Sequence, residues 1–177
     1  MLHCGKILIS GCLAGLSCSY DGQIKSEKST VFREIFGKAE KLGYSFIPFC
    51  PEQAGGLATP RKPAELQTNA ENILENRGKI VSISKTDVTE NFIKGAKETK
   101  KVCELFSVSG VILKEKSPSC GKRKVYSGKF DGNLIDGMGL TCFLLSKCGF
   151  QIFSDEEFLT YWDNEGEEVF QKLFPKP

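Results

Sequence analysis

A chain of 177 residues, 40% of them hydrophobic, can bury the core of one α/β domain. Its net charge of +2 argues against long nucleic acid as a partner, leaving local basic runs such as Lys122-Arg123-Lys124 for a small anion. No apolar run approaches the ~18 residues of a membrane span, and Ile7–Ile9 is far shorter than the apolar core of a signal peptide. The expected setting is therefore the cytoplasm with no membrane partner, where disulfides are disfavoured and the 8 cysteines need another account. The single histidine, His3, argues against Ser-His-Asp and Cys-His mechanisms.

Lys6–Cys12 reads as the first strand: an apolar run broken by Gly11-Cys12. A loop from Leu13 to Gly22 holds Cys18 and the turn Tyr20-Asp21-Gly22. Ser26–Leu42 has helical spacing, with Val31, Ile35, Ala39 and Leu42 on one stripe and Phe32 and Phe36 beside it. Ser26 suits its N-cap and Gly43 its C-terminal stop. A second strand starts at Tyr44 and ends in Cys50-Pro51-Glu52. Pro48 inside it requires a short or edge strand. Pro51–Glu65 reads as a rigid irregular loop, and Gln67–Gly78 as a polar excursion. Lys79–Ile83 suits a small strand.

Asp87 and Glu90 resemble a capping box that opens a helix to Phe106, with Val88, Phe92, Ala96, Thr99, Cys103 and Phe106 as its stripe. Val108–Glu115 is the third strand, ending in Ser117-Pro118-Ser119-Cys120-Gly121. Val125–Leu134 suits a hairpin around Asp131-Gly132. Leu140–Lys147 reads as a helix and Phe150–Phe153 as a last strand. The alternation predicts a three-layer α/β/α domain with a mostly parallel, Rossmann-like sheet over residues 1–158. Residues 155–177 are too apolar for a free tail, and predict a helical extension over 159–177 packed on the domain or on a second copy in a homodimer.

Three strands thus each deliver a cysteine at the carboxyl end, the edge where open parallel sheets bind ligands. Cys12, Cys50 and Cys120 form one shared site or three unrelated buried thiols; Cys18 is a candidate fourth member. Cys103 lies on a helix stripe, and it, Cys142 and Cys148 read as core thiols. Cys4 reads as incidental. Structural zinc commonly uses four ligands with Cys-x-x-Cys pairs, which are missing here. Three soft thiolates without histidine suit an iron–sulfur cluster better. Glu52, two residues past Cys50, is a surface charge or a proton-transfer group. Arg61 suits a loop salt bridge or an anion contact. Ser117 and Ser119 suit plain turn chemistry or a substrate contact.

Taken together, Ser10-Gly11-Cys12-Leu13-Ala14-Gly15, Cys18-Ser19-Tyr20-Asp21-Gly22, Cys50-Pro51-Glu52, Gly55-Gly56-Leu57, Thr59-Pro60-Arg61, Pro63-Ala64-Glu65 and Ser117-Pro118-Ser119-Cys120-Gly121 resemble one bacterial family. That family was long described as a domain of unknown function and is associated with thiouracil desulfidases. The resemblance covers about residues 6–158 of this sequence. It implies an oxygen-sensitive [4Fe-4S] cluster on Cys12, Cys50 and Cys120. It also implies non-redox removal of sulfur from a small thiolated base such as thiouracil. Glu52 and Ser117 match proton-transfer and substrate-positioning groups, with Ser119 and Arg61 as further expected substrate contacts. Gly11, Ala14, Ser19 and Cys142 stand where the family usually has Ala, Leu, Arg and Ala, and Tyr126-Ser127-Gly128 replaces Tyr-Asp-Gly. Two other readings stand beside this one: a metal-free thiol redox or persulfide-transfer protein using Cys12 and Cys18, and a non-catalytic metal-binding module.

Overall fold

The computed structural model describes residues 5–24 and 26–175. In chain order the elements are β1 (Gly5–Ser10), α1 (Ser26–Lys41), β2 (Tyr44–Phe49), α2 (Pro51–Ala54), β3 (Ala64–Leu66), α3 (Ala70–Leu74), β4 (Ile80–Ser82), α4 (Thr89–Phe106), β5 (Gly110–Leu113), β6 (Lys124–Tyr126), β7 (Leu134–Asp136), α5 (Leu140–Lys147), β8 (Ile152–Ser154), α6 (Asp155–Glu165) and α7 (Val169–Leu173). The last two helices are joined by a 3-10 turn at Gly166–Glu168.

A parallel sheet in the order β2-β1-β5-β8 forms the centre. Strand side chains alternate between its faces. Ile7, Ile9, Ile112 and Phe153 join Phe32 and Ile35 of α1 on one face; Leu8, Val111, Leu113 and Ile152 join Cys103 of α4 and Cys142 and Leu145 of α5 on the other. This is the expected three-layer α/β/α arrangement, with strands covered on both faces and hence nearly continuous in apolar residues. Pro48 lies in β2 at the sheet edge, where its missing N–H breaks no ladder. Two antiparallel pairs, β3 with β4 and β6 with β7, lie outside this sheet. Among the described residues no helix is long and apolar enough to cross a membrane.

Several local expectations shift. The buried stripe of α1 keeps Ile35 and Ala39 as expected but centres on Phe32, whereas Val31 is exposed. Gly43 does end this helix, at φ +75°. The capping role expected of the Ser26 side chain lies outside the described residues, as do His3 and Cys4. Asp87 does not form a capping box with Glu90. Its Oδ1 accepts from the Thr89 amide at 3.1 Å and the Thr89 hydroxyl at 2.6 Å, closing a local turn ahead of α4. Phe106, expected on the stripe, is largely exposed, because a left-handed Ser107 ends α4 directly after it. The segments read as irregular contain α2, β3 and α3. Helices of 4 and 5 residues show no periodicity, and β3 exists only through its pairing with β4.

The apolar tail is part of the core. Phe158, Phe170 and Phe174 are fully buried with Phe32 and Ile9, and the α6–α7 aromatics stack on the domain's own: Tyr44 on Phe170 at 5.1 Å and Phe32 on Phe158 at 6.0 Å. Ser154 and Glu157 cap α6 reciprocally. Phe170→Ala is expected to cost about 3–5 kcal/mol, read as a lowered midpoint in denaturant unfolding.

Candidate active site

Cys50, Cys12 and Cys120 follow β2, β1 and β5, three adjacent strands, at one carboxyl edge. Pairing continues past the strand ends, because the Gly11 amide donates to the Phe49 carbonyl at 2.8 Å. Ser10 joins the remaining pair. Its Oγ accepts from the Lys114 amide at 2.9 Å, and its hydroxyl bonds the Cys120 sulfur. Cys120 is close enough to Cys12, Cys50 and Glu52 for each to act electrostatically on its thiol. The structure therefore brings the three cysteines and Glu52 into one neighbourhood.

The Cys50 turn is built by its neighbours. Pro51 disfavours helical backbone at the preceding residue, so Cys50 stays extended at φ −114°, ψ 108°, and Pro51 opens α2. That turn of helix lies backbone-to-backbone on α4. A Cβ on Gly95 would lie 2.0 Å from the Pro51 carbonyl oxygen, and one on Gly55 would lie 2.0 Å from the Asn91 carbonyl oxygen. Gly-to-Ala inside a helix ordinarily stabilises by ~0.5–1 kcal/mol. Gly95→Ala is expected to do the reverse, lowering the melting temperature and displacing Cys50 and Glu52.

The Cys120 turn is held from three sides. Ser117 Oγ accepts from the Ser119 and Cys120 amides, both at 3.1 Å. The carbonyls of Pro118 and Ser119 accept from Leu140 and Thr141, both at 2.9 Å, satisfying amides at the start of α5 that Gly139 has no side chain to cap. Glu115 Oε1 accepts from the amides of Lys122, Arg123 and Lys124 at 3.2, 3.0 and 3.0 Å, while Oε2 is buried without a partner among the described residues. Glu115→Ala leaves these amides without their acceptor and is expected to cost at least about 3 kcal/mol in denaturant unfolding. Gly95 and Glu115 resemble ordinary helix and strand-end residues in the sequence, and Ser10 enters there only as the first residue of the Ser10-Gly11-Cys12 motif.

Ser119 is buried, and its hydroxyl shares a 2.8 Å hydrogen bond with Thr141. The Lys122-Arg123-Lys124 run is engaged in ion pairs within the chain. Lys122 and Arg123 pair with Glu157, both at 2.6 Å, and Lys124 with Asp136 at 2.9 Å.

Cys18 is the hub of the thiols. It is buried and hydrogen-bonds to the sulfurs of both Cys12 and Cys50. Its bond pushes the Cys12 thiol down against the opposing effect of burial, with Lys114 adding a favourable charge. The same donor brings Cys50 down to about 7. Cys18 itself is pushed up by both bonds. Burial pushes Cys120 up, partly offset by the Ser10 hydroxyl. Cys103 and Cys142 are raised by burial to about 12, as core thiols should be. Cys148, expected in the core, is exposed just past the end of α5. Among the described residues no three His, Cys, Asp or Glu side chains are arranged to hold a single metal ion.

Glu52 lies in the first turn of α2, and its Oε2 accepts from Arg61 Nε at 2.7 Å; the two side chains are 15% and 9% exposed. This is the loop salt bridge rather than an anion contact. The pair lines a cavity of about 160 Å³ with Leu57, Lys62, Ser84 and Phe92, which no cysteine lines.

Comparison with known proteins agrees with this architecture. A family model described as 2-thiouracil desulfurase matches residues 7–157. The chain is 40% identical to the uncharacterized protein YbbK of Bacillus subtilis (strain 168) over 153 residues, covering 85% of this chain and 96% of that protein. It is similar to a solved structure described as the [4Fe-4S]-dependent thiouracil desulfidase TudS (DUF523Vcz), with a TM-score of 0.73 and 37% identity, covering 88% of this chain and 94% of the other.

Proposed function

The chain belongs to the 2-thiouracil desulfurase family, and on that premise we propose that it removes sulfur from a small thiolated base such as thiouracil, using a [4Fe-4S] cluster on Cys12, Cys50 and Cys120. The observation that carries this reading is the gathering of three cysteines from adjacent strands beside one carboxylate. The donor set fits the group. All three ligands are soft thiols, and two already release their protons more readily than an ordinary cysteine, as ligation requires. A single ion needs its ligands crowded about one point, whereas a four-iron cluster takes each thiolate on its own iron, so wider spacing suits it. When bound, a cluster with three protein ligands supplies one iron free to act as a Lewis acid toward sulfur. Cys18 bonds to two of the proposed ligands and so serves as a thiol donor to them rather than a fourth ligand.

The chain's own groups account for the proton movements. Glu52 Oε2 is held by Arg61, while Oε1 makes no hydrogen bond among the described residues and can take a proton from a water. The water oxygen bonds to the thiocarbonyl carbon, the carbon–sulfur bond breaks, and sulfur leaves as hydrosulfide; no atom is oxidised or reduced. Ser117 Oγ accepts two amides, so its own hydrogen remains free to donate to a ring oxygen or nitrogen. Protein purified without oxygen and reconstituted with iron and sulfide is expected to convert 2-thiouracil to uracil with equimolar hydrosulfide. Cluster-loaded protein that leaves thiobases unchanged would instead support a non-catalytic metal-binding module.

The Cys18 contacts favour one competing reading, thiol redox or persulfide transfer at Cys12 and Cys18 without metal. Its mark would be a disulfide or persulfide on Cys12 by mass spectrometry, together with activity that survives removal of iron.

A further inference from the structure

We infer that Arg61 is a positioning residue, which selects the working oxygen of Glu52 and does not touch the substrate; this rests on the desulfidase reading above. Arg61 stands at the end of the Thr-Pro-Arg turn, and its side chain is 9% exposed. A guanidinium has five N–H donors in a fixed plane. Here Nε donates to Glu52 Oε2 at 2.7 Å. Nη1 donates to the Ala58 carbonyl at 3.3 Å and to Thr59 Oγ1 at 3.1 Å. Nη2 donates to the Cys18 carbonyl at 3.0 Å. The Arg61 backbone amide is tied as well, to the Tyr20 carbonyl at 2.7 Å. An arginine that grips a ligand presents a free, accessible fork. This fork is buried and already engaged, with only one N–H left over.

What the fork joins is informative. One edge holds a single oxygen of Glu52 and leaves the other open. Another holds the Cys18 carbonyl, to which the Cys50 thiol donates at 3.7 Å. Arg61 therefore spans the carboxylate and the segment that bears the hub thiol, and sets the distance and angle between them. A carboxylate whose oxygens lie three side-chain torsions from the backbone would otherwise sample several rotamers, and a general base loses rate steeply when misaligned.

The test compares Arg61→Lys and Arg61→Met with wild type, each alone and combined with Glu52→Gln, all reconstituted without oxygen. Iron content and visible spectrum should match wild type. Arg61→Met should lower kcat by about 10²-fold with KM nearly unchanged, the pattern of an interaction felt only in the transition state. Arg61→Lys should recover little, because a point charge cannot hold Glu52 and the Cys18 carbonyl in one plane. In the Glu52→Gln background the further loss from Arg61→Met should be small, since both changes remove the same function. A rise in KM that persists in the Glu52→Gln background would overturn the inference in favour of substrate contact. Loss of iron in both Arg61 variants would overturn it in favour of a purely structural post. A crystal structure of Arg61→Met decides the matter without any turnover. The Glu52 carboxylate should swing away while Cys50 and α2 stay in place, and an unmoved carboxylate refutes the role. Failure of the desulfidase reading is recognised separately, as a wild-type enzyme that loads iron yet releases no hydrosulfide.

Discussion

Cys120→Ala is expected to fold normally yet fail to retain iron, with stoichiometric iron and sulfide absent after anaerobic reconstitution and desulfidation reduced by at least ~10³-fold. The two halves of this outcome have separate causes. The turn that carries Cys120 is held by Ser117 Oγ, by Glu115 Oε1 and by the amides of α5, and none of these contacts uses the sulfur. Removing the sulfur deletes the ligand and its hydrogen bond from the Ser10 hydroxyl, while these backbone and carboxylate contacts keep the turn in place. Two half-buried thiols, Cys12 and Cys50, would remain on the adjacent strands, too few to hold a four-iron cluster against exchange with water. Cys103→Ala is the control. It removes a buried thiol of α4 that is not among the proposed ligands, and should lower stability while leaving iron content intact. Full iron content in Cys120→Ala would end the cluster reading.

Glu52→Gln should give the complementary result: a loaded cluster and a kcat reduced by roughly 10²–10⁴-fold, with KM little changed. The amide keeps the size of the carboxylate and an oxygen that can still accept from Arg61 Nε, so α2 and Cys50 should not move. It has no basic oxygen to take a proton from water. Hydrosulfide release measured under single-turnover conditions isolates this step from product release. Unchanged activity in Glu52→Gln would return Glu52 to the ordinary role of partner to a buried arginine.

The two substitutions also differ in how far they could be foreseen. Cys12, Cys50 and Cys120 stood out because each follows an apolar run at a Gly or Pro break, and such breaks are local events with local signals. Glu52 stood out only by its distance of two residues from Cys50. Its partner was undecided, because the Glu52–Arg61 pair closes across a loop whose path depends on Gly55 resting against α4. The surroundings of Ser119 and Cys148 were not legible for a related reason. Whether a polar or a thiol side chain beside a turn faces inward depends on what packs there: Ser119 is buried against Thr141, whereas Cys148 is exposed.

From the sequence alone came the alternation of strand and helix, the three-layer class, the strand-end cysteines and the apolar tail that cannot stay in water. All of these rest on periods of two and 3.6 residues or on chain breakers, which act within a few positions. The tertiary structure alone decided that β1 lies between β2 and β5, so that three cysteines distant in sequence reach one edge of the sheet. It also decided that Cys18 joins them, that Ser10 and Glu115 secure the Cys120 turn, and that Arg61 holds Glu52. These are contacts between segments far apart in the chain, 104 residues in the case of Ser10 and Lys114. Their energies depend on burial and on hydrogen-bond geometry, which no local pattern encodes.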